Sequence, residues 1–456
     1  MNKVAKRAGV VILLAFLLLA GLSFFVTEFV LKSGEWVVFP GSPHVYHAGN
    51  MGSGAVTDRE GILLLDMNGG GRTYSDALLT RKSTLHWVGD RYGSISAPAV
   101  PSYSGQIAGF DLLNGLYSFG SAGGVAKLTL SAKVQNVALE ALGGYKGTVA
   151  VYNYKTGELL CAVTTPTYDP DNVPDIENDP QGLYEGAYMN RFTQSVYTPG
   201  SIFKIVTLAA ALDTLEDAQQ QTFSCVGAYA YGVDKITCES AHGEQSLKQA
   251  FCNSCNCAFA QLADQLGAQT LQGYAQKLGI TQAVTFDGIE TAAGNFQAAQ
   301  EPVNVAWSAI GQYTDLVNPC GFMTLMGAIA GGGKGAIPHV VMSAGDGLSG
   351  YTAQTEYTER VLGGETAQLV QSYMRNNVET RYGDDYFPGL TVCAKTGTAE
   401  MDGEQASNAM FAGFATDEAY PLAFIVCVEG GGYGQVTCVP IASKVLLACK
   451  EVLDHP

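Results

Sequence analysis

The sequence predicts an α+β protein in three parts: a membrane-spanning N-terminal helix, a β-rich module, and a larger domain whose central antiparallel sheet is flanked by helices. Three observations carry this reading. Residues Gly9 to Thr27 contain no charged side chain. The stretch from about Gly34 to Val125 is rich in glycine, serine and tyrosine, with only short apolar runs. In the rest of the chain, strand-length apolar runs lie near both ends, and helix-period patterns lie between them.

The N-terminal helix comes first. Lys3, Lys6 and Arg7 precede the uncharged run. A helix over Gly9–Thr27 spans roughly 28 Å, close to the thickness of the hydrocarbon core. Basic residues ahead of the span place the N-terminus in the cytoplasm and the rest of the chain outside. A cleaved signal peptide is the competing reading. The run is longer than a usual signal core, and no clear small-residue cleavage site comes after it. The expected organisation is 1–33 as cytoplasmic tail and anchor, 34–125 as a β-rich pedestal, and 126–456 as the main domain.

Within 34–125, Ile62 to Leu65 is a short strand-like run. Gly54-Ala-Val-Thr-Asp58-Arg59-Glu-Gly61 reads as a strand and a tight turn. The character changes near Lys127. Leu128, Val134, Val137, Ala138 and Leu142 are spaced for a helix over Lys127–Leu142. Gly147 to Asn153, then Lys155-Thr-Gly157, then Glu158 to Val163 read as a β-hairpin. Thr391–Ala394, Ala409–Phe414 and Leu422–Val428 read as three further strands, and Ala442–Leu453 as a closing amphipathic helix. Strands from both ends of the domain are expected to share one sheet, with the helical middle packed against it.

Composition narrows the function classes. The chain has 456 residues, 47% of them hydrophobic, enough for a sizeable core. Only 15% are charged, and the formal net charge is -17, which excludes the concentrated basic surface that nucleic-acid binding needs. Gly331-Gly-Gly-Lys334-Gly335 is not a phosphate loop, because no serine or threonine comes after the lysine. His44 and His47 lack helical periodicity and read as loop residues. The 11 cysteines are an odd number. Cys225 and Cys238 flank a glycine- and tyrosine-rich loop, and whether they bridge stays open. Cys252, Cys255 and Cys257 have no histidine or acidic residue at ligand spacing nearby, so they read as small buried apolar residues rather than metal ligands.

Three short triplets carry the chemistry. Ser201-Ile-Phe-Lys204 comes after Thr198-Pro199, a cap residue and a favoured first helical position. In a helix the serine and lysine share one face. The helix start favours negative charge on the serine oxygen, and a buried lysine deprotonated by its surroundings takes the proton. Ser254-Cys-Asn256 comes after a helix capped by Ser246 and sits at a bend before another helix near Ala258. Its hydroxyl and amide suit proton relay and amide binding. Lys395-Thr-Gly397 extends a strand and continues as Thr398. Lys395 supplies positive charge, Thr396 and Thr398 supply hydroxyls, and Gly397 permits close approach to the strand. Each triplet is common alone, and Lys155-Thr-Gly157 reads only as a hairpin turn. In order and in the right local structures, the three together point to serine acyl transfer.

The chain resembles a class B penicillin-binding protein, a membrane-anchored peptidoglycan D,D-transpeptidase. Beyond the triplets, the resemblance rests on Tyr152 to Cys161, Pro166-Thr-Tyr-Asp169-Pro170, Asn190-Arg191, His242-Gly243, Ile310-Gly311-Gln312, Lys395 to Glu400 and Phe411-Ala-Gly-Phe414. It covers about 127–456, and the segment around Asp58 looks like the family's pedestal. It implies a penicillin-binding, serine β-lactamase-like domain. Ser201 would attack the penultimate D-Ala carbonyl of a stem peptide, and Lys204 would be the base. Ser254 and Asn256 would relay the proton and bind the peptide. Lys395, Thr396 and Thr398 would hold the terminal carboxylate, and the N–H groups of Ser201 and Thr398 would form the oxyanion hole. It further implies acylation by β-lactams, a membrane-embedded glycan polymerase as partner, and no metal or organic cofactor. A D,D-carboxypeptidase, a β-lactamase, a β-lactam sensor and a catalytically silent cell-wall scaffold are the alternatives. Ser53, Tyr313 and Asn408-Ala-Met410 depart from the family's usual residues, with glycine frequent at the position of Tyr313.

Overall fold

The computed structural model describes residues 2–39, 46–47, 50–68, 71–109, 123–345, 350–399 and 406–455. His44 and Glu400 lie outside the described residues. Asn2–Val37 forms one helix, and its segment Lys3–Ser33 is long and apolar enough to cross a membrane. Its side chains, Leu13, Phe16 and Leu18 among them, are exposed rather than packed on the protein. An unpacked apolar stripe of this length is matched to hydrocarbon, not water.

The main sheet has five antiparallel strands, in the order Val392–Ala399, Asn408–Ala415, Leu422–Val428, Gly147–Asn153, Leu159–Thr165. Strands from the two ends of the domain do meet: Ile425 lies opposite Ala150, and Val426 opposite Val149. Both faces are buried, which is why the strands read as continuous apolar runs. Ala150, Met410, Ala412 and Ile425 enter one core, while Val149, Val151, Phe411 and Phe424 enter the other. The second core is closed by helices Ala132–Leu142 and Gly434–Asp454, through Val134, Ala138, Val445 and Leu446. The first is closed by helix Pro319–Ala330 and by the helices that carry the triplets.

Two helix boundaries differ from the sequence expectation. Lys127 and Leu128 belong to strand Val125–Leu128, and the helix starts only at Ala132. Its first turn is fixed from outside: the Asp58 carboxylate accepts from Ala132 N–H at 2.9 Å, and also from Glu60 and Ile62 N–H at 2.9 and 2.7 Å. Apolar spacing over a few residues cannot separate strand from helix. The closing helix starts at Gly434, with Pro440 inside it, eight residues before the expected Ala442.

A second, six-stranded sheet runs Tyr351–Thr352, Val341–Ala344, Val125–Leu128, Ala55–Thr57, Leu63–Asp66, Thr73–Tyr74. It joins strands from the pedestal segment to strands far along the chain, with Ala55–Thr57 and Val125–Leu128 parallel. Helix Leu78–Val88 was not expected from sequence. Its buried face is partly polar and includes Thr80, Ser83 and His86. Ser83 Oγ donates to Asn136 Oδ1 at 2.7 Å, and Asn136 Nδ2 donates to Thr80 Oγ1 at 3.0 Å. A helix that packs through hydroxyls and amides leaves no apolar period to read.

Candidate active site

The segment carrying Ser201 is a 3-10 turn, Gly200–Phe203, running directly into helix Lys204–Thr214. Thr198 does not cap it: Pro199 holds the cap position, and no side chain bonds there. Tertiary contacts fix the turn instead. Gly200 has φ +53°, a backbone region that favours glycine. Its N–H donates to Gly311 O at 2.8 Å. A Cβ on Gly200 would lie 2.4 Å from Thr398 O, and one on Gly397 would lie 2.7 Å from Pro199 O. The turn therefore lies backbone against backbone on strand Val392–Ala399. Gly397 accommodates the nucleophile's own turn.

The second triplet is set by a capping box. Ser246 and Gln249 cap helix Leu247–Cys252, Cys255 caps helix Asn256–Lys277, and Ser254 forms the bend between them. Ser254 has φ +54°, a conformation costing a non-glycine residue about 1–3 kcal/mol and typical of functional loops.

The three triplets converge. Lys204 Nζ lies 2.9 Å from Ser201 Oγ, 3.2 Å from Ser254 Oγ, 2.8 Å from Ser254 O and 2.6 Å from Asn256 Oδ1. Asn256 Nδ2 donates to Thr237 O at 2.8 Å, which fixes the amide with its oxygen toward the lysine. Lys395 Nζ donates to Ser254 Oγ at 3.1 Å and to Thr396 O at 3.0 Å. Both lysines are fully buried. Burial brings Lys204 down to about 8. Burial, and after it the charges of Lys204 and Arg381, holds Lys395 well below the usual lysine range. When Lys204 is neutral it has two N–H groups, a match for the two carbonyl oxygens of Ser254 and Asn256. Its lone pair is then left for the Ser201 hydroxyl.

Ser201, Ser254, Asn256, Thr396 and Thr398 line one cleft of about 280 Å³. Lys204 and Lys395 stand behind its wall, and Gly397 faces the nucleophile turn. Thr396 is oriented by Tyr382: its N–H and Oγ1 both meet the phenol oxygen, at 3.2 and 3.1 Å. The cleft also holds Glu239, Trp307, Arg381 and Tyr433, none of them expected from sequence. Arg381 and Tyr382 lie in a π-helical turn, Val378–Tyr382, a backbone irregularity frequent at functional sites and without a residue signature. Tyr313 has φ +66°, the physical reason glycine suits that position.

The cysteines are all unbridged, so Cys225 and Cys238 do not pair with each other. His242, separated from Cys255 by strand Gly243–Ser246 and helix Leu247–Cys252, is brought beside the cysteines by the fold: Cys225, Cys238, His242 and Cys255 place their ligand atoms within 4.8 Å of one another. Linear spacing around Cys252–Cys257 had shown no such partner.

Residues 147–447 match the penicillin binding protein transpeptidase domain family. The peptidoglycan D,D-transpeptidase PbpA of Mycobacterium tuberculosis is 27% identical over 361 residues, which is 72% of this chain and 73% of that protein. Stage V sporulation protein D of Bacillus subtilis is 26% identical over 414 residues, 85% of this chain and 60% of that protein. In fold, the chain superposes on penicillin-binding protein A from M. tuberculosis, solved as a ceftriaxone acyl-enzyme complex. The TM-score is 0.76 at 23% identity, covering 89% of this chain and 98% of that one.

Proposed function

The chain belongs to the penicillin-binding protein transpeptidase family, and from that membership we propose how its residues divide the work of a class B, serine-type peptidoglycan D,D-transpeptidase that β-lactams acylate. The observation that carries the proposal is the 2.9 Å contact between Lys204 Nζ and Ser201 Oγ, with two carbonyl oxygens within hydrogen-bond distance of the same nitrogen.

Neutral Lys204 removes the Ser201 proton as Oγ adds to the penultimate D-Ala carbonyl. The oxyanion is held by the N–H groups of Ser201 and Thr398, on the turn and strand locked together by Gly200 and Gly397. The terminal carboxylate sits against Lys395, Thr396 and Thr398, with Arg381 adding positive charge. An arriving carboxylate favours the charged form of Lys395, and that charge in turn favours neutral Lys204. Collapse breaks the C–N bond. The proton on Lys204 returns to the departing amine by way of Ser254 Oγ, which lies within reach of both lysines. Asn256 aligns the lysine and the stem-peptide backbone. An amine from a neighbouring strand then attacks the ester and releases Ser201. A β-lactam takes the same first step, but its leaving nitrogen stays tethered.

The apolar helix anchors the chain in a membrane as a single pass, with the catalytic domain on the extracytoplasmic face. Segment 1–33 serves as tail and anchor, 34–125 as pedestal, and 126–456 as the catalytic unit. A membrane-embedded glycan polymerase is the proposed partner that supplies strands to cross-link.

Incubation with fluorescent penicillin tests the assignment. The wild-type chain should carry a covalent label that is absent from Ser201→Ala, and label retained by that variant overturns it. Analysis of stem-peptide products separates cross-linking from release of free tetrapeptide by water. Co-purification after detergent solubilisation tests the polymerase partner.

A further inference from the structure

Beyond the catalytic reading, the cleft wall carries a second constellation. Between helices Lys204–Thr214 and Asn256–Lys277 the chain makes two small hairpins. Thr222–Cys225 pairs with Gly243–Ser246, and Ala228–Tyr231 pairs with Asp234–Thr237. Few of their side chains are deeply buried: Phe223, Cys225, Ile236 and Gln245 are, while Val226 and Val233 point into solvent. Isolated two-stranded hairpins are marginally stable and need a further tie.

Four ligand atoms meet where these hairpins touch the catalytic loop. Cys225 ends one strand and lies opposite Gly243, the neighbour of His242. Cys238 comes just after the second hairpin, and its N–H donates to Gly227 O at 3.0 Å. Cys255 stands between Ser254 and Asn256. Cys225 Sγ is 3.4 Å from His242 Nδ1, and Cys238 Sγ is 3.6 Å from Cys255 Sγ. A tetrahedral zinc ion with its usual bond lengths sets S···S near about 3.8 Å and S···N near about 3.6 Å. The groups around these ligand atoms support them. Cys257 N–H donates to Cys238 Sγ at 3.4 Å, Ala258 N–H donates to Cys255 Sγ at 3.4 Å, and His242 Nε2 lies 3.5 Å from Ser240 Oγ. Backbone donors aimed at sulfur stabilise thiolates, and a partner on the far ring nitrogen leaves Nδ1 free as a ligand.

We propose that Cys225, Cys238, His242 and Cys255 bind one zinc ion, a structural site that ties the two hairpins to the Ser254–Asn256 loop at the wall of the cleft. Three sulfurs and one imidazole suit zinc over magnesium or calcium, and four protein ligands leave no open position for chemistry. The ion acts on the reaction only by positioning. Cys255 holds the backbone between the two residues that orient Lys204, so removing the metal frees that loop without touching Ser201.

The test is metal analysis of the full-length chain, purified in detergent under reducing conditions. One zinc per chain is expected, released in step with modification of its thiols by a mercurial. His242→Ala and Cys225→Ser should each lower zinc content by more than about tenfold. Cys252→Ser should keep it, since Cys252 Sγ contacts Thr380 Oγ1 and lies outside the cluster. If the ligand variants fail to fold, cobalt exchanged into the wild-type chain should show thiolate-to-cobalt charge transfer and tetrahedral ligand-field bands. Two results overturn the proposal: wild-type protein without zinc whose three thiols are all free, or a Cys238–Cys255 disulfide found by peptide mapping. Metal content is read whether or not the chain is acylated, so its failure and that of the transpeptidase reading are distinguishable.

Discussion

Lys204 and Lys395 share one oxygen: their Nζ atoms lie 3.2 and 3.1 Å from Ser254 Oγ. Two ammonium groups that close, both fully buried, repel each other, and burial pushes both toward the neutral form. In the proposed mechanism the pair divides into a base that acts when neutral and a cation restored by the substrate carboxylate.

Removing the base tests that division. Lys204→Met should cut the rate of penicillin acylation by about 10²–10⁴-fold, the usual worth of a positioned base. Stopped-flow labelling measures it, and a rate within a factor of a few of wild type would show another group taking the proton.

The pH profile comes from the direction of the shift. In the proposed role Lys204 acts in its neutral form, and burial brings its pKa down to about 8. Acylation should therefore rise about tenfold per pH unit below that value and level off above it. A rate that falls as pH rises from neutral to alkaline would contradict the assignment. Labelling across a buffer series reads it directly.

Gly397→Ala probes the interlock. The added Cβ would meet Pro199 O at 2.7 Å, with Ile202 Cγ2 at 3.1 Å and Met410 Cβ at 3.3 Å also crowding it. The expected cost is about 1–3 kcal/mol of stability, together with a loss of acylation greater than about tenfold as Ser201 shifts. Thermal melts and labelling read the two effects separately.

Asp58→Ala probes the join between the pedestal segment and the catalytic unit. The change leaves Glu60, Ile62 and Ala132 N–H without their acceptor. A loss of about 2–4 kcal/mol is expected in denaturant unfolding, with acylation of the folded fraction retained.

Much of this was legible in the sequence because the second and third triplets sit in the bend and the strand that local rules predict. Ser246 caps as its capping-box pattern with Gln249 dictates, and the five main strands are bounded by turn residues. What escaped was tertiary. Thr198 has the chemistry of a cap, yet Gly200 and Gly311 fix the turn through their backbones. Arg381 reaches the cleft from a π-helical turn that no residue pattern announces. His242 joins the cysteines because strand Gly243–Ser246 lies beside Thr222–Cys225, a neighbour relation that spacing along the chain cannot express. Helix Leu78–Val88 hid because polar side chains fill part of its buried face.

Gly200 meets strand Val392–Ala399 through main-chain atoms alone. Side-chain replacement along that strand leaves the close approach of the turn in place, because Thr398 O and Ala399 N, not side chains, set it. Evolutionary drift can then repaint most of the cleft's surroundings while the reactive centre stays in register. It is the glycines, rather than the residues doing the chemistry, that confer this tolerance.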